Sequence, residues 1–542
     1  MNKKLRFSCL ALLLALLFAT DCGAFAPSPK LEYAPYSAQF AEYASDPEAW
    51  TDLRPSPVDF SHLSRINAAH SGVSPRGASL PRKFDLRELG FMTPAKNQGA
   101  DGNCWAYTAM GSLESSYLKK TGKRLDLSED FLSWFAFAGQ GAFTGKSRGG
   151  GFDNIAVSML ARWAGPVASS VAGSQGTQGF SGSETDYTDA LHLENAYFLG
   201  LEFVDDENLY LQPSDDARKQ LVYELGAISV GIYTAGLPSD SRYYNAQNSA
   251  LFYNGEKRYP DHSVLVAGWD DDYPRENFSA ENLPQRDGAW LVKNSWGSGF
   301  GDGGYFWISY EDRGFADGVA FLAGEADNYG KNYGYDDLGW CMSSGVGAGE
   351  TAWLSNVFTS GGEEERLEAV SFYATSNNAS YEIYIYTGLS DASDPISGTL
   401  AATASGTLDL AGYHTVKTPY ADLKPGTPFS AVLKVTTPGY AYPAAVEKQI
   451  NDYSDNAIIE RGASFISMDG SLWADAGEQG ANVCVRAFTS KTASGATPGG
   501  SQGGSDASQG NSGGGCSAGT PLFALFVPLL PLIVKRAMAK GR

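Results

Sequence analysis

Apolar residues recur at helical spacing just after position 104 and at strand spacing after position 227, and this change of period organises the chain. Trp105, Ala109, Leu113 and Tyr117 fall on one face at i, i+4 intervals, and Lys119, Lys120 and Gly122 act as stop signals. The spacing predicts a helix over 104–120 with Cys104 at its N-terminus. A second helix is predicted to start at Ser128, with Glu129 and Asp130 in its first turn, and a third to cover 154–164. The pattern then turns to strands at 227–233, 263–269, 289–293 and 304–308. Helices first and strands second predict an α+β domain over 80–326. From 327 to 489, short alternations such as 382–386 and 430–435 between Gly and Pro turns predict an all-β sandwich.

The flanks differ in texture. Lys3, Lys4 and Arg6 precede an apolar run from Phe7 to Ala19, so residues 1–24 read as a secretory signal peptide cut after Ala24. A lipidated Cys22 is the competing reading, and Asp21 before it fits that motif poorly. Residues 25–79 hold seven prolines that prevent a long helix and read as a propeptide or N-terminal arm. Residues 490–512 form a Gly/Ser linker. In 513–542 an apolar run over 521–534 is followed by Lys535, Arg536 and Lys540. That run is shorter than the roughly 20 residues a membrane span needs, and Pro528 and Pro531 interrupt it. An exported chain, retained at the envelope or outer surface or released after processing there, is expected.

A formal charge of -21, with the basic clusters confined to the two ends, argues against nucleic acid as a partner. Six cysteines are few for an exported chain of 542 residues, so disulfides are not its main support. Cys341 and Cys484, near the two ends of the second domain, are expected to pair; the other reading is two buried thiols. His62, His70, His192 and His414 form no spaced cluster, so neither a metal ion nor a cofactor is expected.

Cys104 stands at a predicted helix start whose dipole favours a thiolate. Gln98 lies six residues upstream on a Gly-rich turn, His262 follows Asp261 at a strand start, and Asn294 follows another strand. A cysteine peptidase needs these four roles: a thiolate, a histidine to hold its proton, a group to orient that histidine, and an oxyanion donor. Residues 97–106, 261–264, 293–297 and 303–308 resemble the nucleophile, histidine, asparagine and following segments of the papain family, in the family's order.

The resemblance implies a two-lobed fold, with a helical left lobe and a β-barrel-like right lobe, and peptide or protein substrates cleaved through a thioester. It implies Cys104 as nucleophile, His262 as acid-base partner, Asn294 as its orienting group, and Gln98 with the Cys104 N–H as oxyanion hole. Trp296 would shield the His262–Asn294 bond, Gly150 and Gly151 would hydrogen-bond the substrate backbone, and Phe152 would wall the main side-chain pocket. Gly231, where the family often has a larger apolar residue, would make that pocket roomier, so that it accepts bulky hydrophobic side chains. Two family cysteines are replaced by Asp101 and Arg148, which are expected to form an ion pair in their place.

The second domain resembles the lectin-like sandwich that follows some bacterial papain-like peptidases, around 367–373, which implies a surface glycan as partner or else a spacer role. The tail, with Gly515-Cys516 before its apolar run, resembles bacterial three-part sorting signals. An exported endopeptidase is the main expectation; an adhesion protein with a vestigial peptidase domain is its rival.

Overall fold

The computed structural model describes residues 28–492 except 48–52, 65–79, 140, 174–178, 201, 205–208, 212–214, 257 and 348. The expected signal peptide, sorting tail and most of the linker lie outside the described residues. The first helix is Cys104–Thr121, closed by Gly122 in the left-handed conformation at φ 74°. The second is Glu129–Phe135, and the Ser128 hydroxyl caps it by accepting the Phe131 N–H. The third, Asp153–Ala161, ends earlier than its apolar pattern, because Trp163 adopts φ 65° and leaves the helical path. The helix Asp215–Leu225 and the strand Leu191–Leu199 were not foreseen.

The predicted strands occur as Ile228–Ile232, His262–Asp270, Ala289–Lys293 and Tyr305–Ser309, joined by Phe315–Glu325. The expectation of a barrel-like right lobe needs correction, because these strands do not close on themselves. One edge ends at Tyr244–Asn245, and the other passes through Leu191–Leu199 to Gly412–Leu423 of the second domain. There His414 faces Asn195 and Gly412 faces Tyr197 in antiparallel register. Backbone pairing thus runs from the first region into the second, and residues up to Thr492 group as one compact unit.

The second region is a sandwich. Its six-stranded sheet, centred on Thr351–Thr359 and Pro428–Thr436, packs over the continuation of the large sheet through Glu365–Ala374 and Val485–Lys491. The expected Cys341–Cys484 disulfide is absent, and both are buried thiols. Cys341 precedes Met342–Gly345 and Cys484 follows Ala481–Val483, strands that flank Ala444–Lys448 on opposite sides. Two strand spacings of about 4.8 Å separate them, beyond the roughly 7 Å that a disulfide tolerates between Cα atoms.

The arm is bound to both regions. Glu32–Tyr33 adds a strand to Met342–Gly345, and Gln479 accepts the Leu31 N–H at 2.9 Å. The helix Ala38–Ser45, flanked by Pro35 and Pro47, buries Phe40 and Tyr43, and Phe40 meets Tyr453 edge-on at 5.8 Å. Phe60 lies between Phe198 of the peptidase-like region and Trp340 of the second. His62 stacks on Tyr440 at 3.7 Å.

Candidate active site

Cys104 opens its helix fully buried, and the N-cap residue Asn103 makes no side-chain bond to the helix. The positive end of the helix dipole is thus directed at the thiol by the backbone alone. The helix packs against the His262–Asp270 strand, and Gly111 permits the approach: a Cβ there would lie 2.5 Å from the Leu265 side chain.

His262 begins that strand, 4% exposed. Its Nε2 lies 2.8 Å from Asn294 Oδ1. The Ser295 N–H also donates to Asn294 Oδ1 at 2.8 Å, which independently identifies that atom as the oxygen. Nε2 therefore carries a proton, so in the neutral ring Nδ1 is the proton acceptor. Trp296 lies against the imidazole at 5.0 Å between ring centres and is itself met edge-on by Phe300. Asp261, just before the ring, binds the preceding segment. Its carboxylate accepts the Thr234 N–H at 2.7 Å and the Thr234 hydroxyl at 2.9 Å.

The turn carrying Gln98 is fastened to the asparagine segment. The Gln98 N–H donates to the Ser295 carbonyl at 2.8 Å and the Gly297 N–H to the Lys96 carbonyl at 2.9 Å. The Gln98 side chain is oriented from both ends: Ser295 Oγ donates to its Oε1, and its Nε2 donates to the Asp101 carbonyl at 2.6 Å. A carboxamide nitrogen carries two hydrogens, so one remains for an oxyanion. Below the turn, Lys96 reaches Glu114 at 3.0 Å, Asp126 at 2.7 Å and Glu129 at 2.6 Å. Burial works against that ammonium, but Glu129 and Glu114 hold it above the ordinary lysine range.

The ion pair expected in place of the missing cysteines is present, with Arg148 Nη1 3.1 Å from Asp101 Oδ2. The Gly102 N–H donates to the Arg148 carbonyl beside it. The last two of the three glycines after Arg148 divide their work. Gly150 donates its N–H to the Gly102 carbonyl at 2.9 Å, and the Gly151 carbonyl accepts the Arg54 N–H of the arm at 3.0 Å. Leu53 bridges Gly151 in parallel, the reverse of an antiparallel pairing. Phe152 lines a cavity of about 190 Å³ formed mostly by arm residues, with Tyr259 and Asp317 beside it. Gly231 does not enlarge it: a Cβ there would lie 3.0 Å from Pro260 and 3.2 Å from Ala316, which fill the space. Sequence reasoning missed Ser295, whose hydroxyl sets the Gln98 carboxamide, although it lies within the segment carrying the resemblance.

The papain family cysteine protease profile matches residues 80–320 and the lectin like domain profile 332–489. Residues 80–320 form a papain-family cysteine protease domain. Mouse and rat procathepsin L are each 31% identical, over 246 and 248 residues, covering 45% of this chain. Only 64% of either mammalian protein is spanned, less than two thirds of its length. The combination of both domains occurs in the cysteine protease and lectin-like domains of Cwp84, a surface layer associated protein of Clostridium difficile. That structure has a TM-score of 0.71 at 24% identity, covering 86% of this chain and 100% of the other. A clostridial Cwp84 structure obtained after propeptide cleavage has a TM-score of 0.63 at 27% identity, covering 76% and 99%.

Proposed function

We propose that the chain is an exported cysteine endopeptidase that cleaves peptide bonds through a thioester at Cys104. The observation that carries this reading is the His262–Asn294 bond, which presents the imidazole as a base beside a cysteine-led helix. His262 holds the thiol proton, the Cys104 thiolate attacks the substrate carbonyl, and the oxyanion is met by the remaining Gln98 amide hydrogen and the Cys104 N–H. The imidazolium returns its proton to the departing amine, and water then hydrolyses the thioester with His262 as base. Trp296 keeps water from the His262–Asn294 bond. Hydrolysis of casein by the full chain after removal of its arm, abolished in Cys104→Ala, tests the reading; equal hydrolysis by both proteins would refute it.

The arm, residues 25–79, is read as an inhibitory propeptide. The Leu53–Gly151 pairing supports this, because it occupies the backbone edge a substrate would use, in the reverse chain direction. Display at a bacterial envelope is supported by the signal-peptide-like and sorting-signal-like patterns of the two ends and by the surface-layer association of Cwp84. The lectin-like domain is read as a glycan-binding module. Trp353 and Tyr384 stack at 5.7 Å on the outer face of the six-stranded sheet, beside the Glu382–Lys434 pair, an aromatic surface flanked by polar groups.

A further inference from the structure

The pocket walled by Phe152 also holds a carboxylate that the mechanism does not use. Asp317 lies on the Phe315–Glu325 strand, whose pairing with Ile228–Ile232 slips by one residue: Phe315 faces Ile232 and Gly318 faces Val230. Ala316 and Asp317 thus stand together opposite Gly231. A bulge of this kind bends its strand and re-aims the side chains on it. Gly231 is the residue that tolerates it, since Ala316 crowds the position a Cβ would take. Asp317, Phe152 and Tyr259 form the peptidase-side wall of the 190 Å³ cavity, and the arm supplies the rest of its lining through 37–39, Ser56 and 58–61.

The charged groups around Asp317 are Asp153 at the start of its helix, Arg218 on Asp215–Leu225, and Asp59 of the arm. Asp153 accepts the Ser229 hydroxyl at 2.9 Å. The Arg218 guanidinium lies over the Phe315 ring at 4.7 Å and donates to the Ala316 carbonyl at 3.3 Å. Among the described residues, no arm side chain lining the cavity is basic. Departure of the arm removes Asp59 and opens the space toward Asp317. A long apolar stem along Phe152 with a cationic head at Asp317 matches that lining.

We infer that Asp317 makes this pocket selective for arginine or lysine in the substrate residue whose backbone pairs with Gly151. The inference rests on the peptidase reading. With the arm bound, burial raises the Asp317 carboxyl to about 6, with Arg218 opposing, so the group is charged at neutral pH and opening the space lessens the burial that raises it.

The test uses the full chain after proteolytic removal of its arm, with peptides randomised at each of the four positions before the scissile bond. Arginine and lysine are expected to dominate at one position. For a matched Arg and Leu peptide pair, Asp317→Asn is expected to lower the Arg-to-Leu ratio of kcat/KM by about tenfold, the scale of a lost charge-assisted hydrogen bond, while Asp317→Glu keeps Arg favoured. In the arm-free chain without substitution the same ratio is expected to fall as pH drops and the Asp317 carboxylate is protonated, a readout that needs no variant. Cleavage of both peptides without basic preference at any position, or a ratio unchanged in Asp317→Asn, overturns the inference and leaves the peptidase reading intact. Failure to cleave either peptide, with no labelling of Cys104 by a peptidyl epoxide, overturns both.

Discussion

Truncating Phe60 to alanine loosens the arm where it is wedged between the two domains. Phe60 is 8% exposed, stacks on Phe198 at 5.0 Å and meets Trp340 edge-on at 5.3 Å. Removing a buried phenylalanine costs about 3–5 kcal/mol, and the lower figure applies because the space borders a detachable segment that can close in. At 1.4 kcal/mol per tenfold, about 3 kcal/mol raises the population of the detached arm roughly a hundredfold. When detachment is fast relative to chemistry, reaction at the covered thiol follows that population. The assay is the rate at which a peptidyl epoxide labels Cys104 in the uncleaved full chain. A rise of about a hundredfold is expected, with equal rates for both proteins once the arm is removed. An unchanged rate in the uncleaved variant, accompanied by a drop in overall Tm, would show that Phe60 supports the whole fold rather than the closure of the cleft.

Other expectations follow from the same geometry. Arg148 sits at φ 67° and its pair with Asp101 is partly exposed. Arg148→Ala should lose at most about 1 kcal/mol, whereas Arg148→Gly should regain roughly 1 kcal/mol from backbone relief; thermal melts with the glycine variant clearly below the alanine variant would contradict this. Trp296→Ala opens the His262–Asn294 bond to water and should lower kcat/KM about tenfold, the scale of one net hydrogen bond, measured on the arm-free chain. Burial raises Asp153 and Asp312 to about 7 and Glu447 to about 8. The folded chain therefore keeps protons that the unfolded chain releases near pH 4, and stability is lost as pH rises through 7. Tm should be higher at pH 5 than at pH 8, and the opposite order would refute the assignment.

Local elements were legible where local chemistry suffices. The Cys104–Thr121 helix carries its stop signals within the segment, Ser128 caps the next helix, and the strands holding His262 and Asn294 are short apolar runs. The site could be assembled from motif order because each role sits in its own recognisable segment. What escaped depends on partners far along the chain. The His414–Asn195 pairing that fuses the two sheets has no sequence signature, since any backbone supplies it. The prolines of the arm ruled out a long helix but could not reveal that Phe40 docks on Tyr453 or that Leu53 reaches Gly151. Asp317 stayed hidden because strand alternation assumes an unbroken register, and the bulge at Ala316 breaks it. Cys341 and Cys484 lie near the ends of one domain in sequence, yet an intervening strand separates them in space.

The central claim, that Cys104 is a nucleophile activated by His262 and covered by the arm, is tested most directly by intact-mass analysis after exposure to a peptidyl epoxide. One adduct, mapped to Cys104, is expected rapidly in the arm-free chain and slowly in the uncleaved chain, and none in Cys104→Ala. An adduct that persists in Cys104→Ala, or equal rates with and without the arm, would contradict the account.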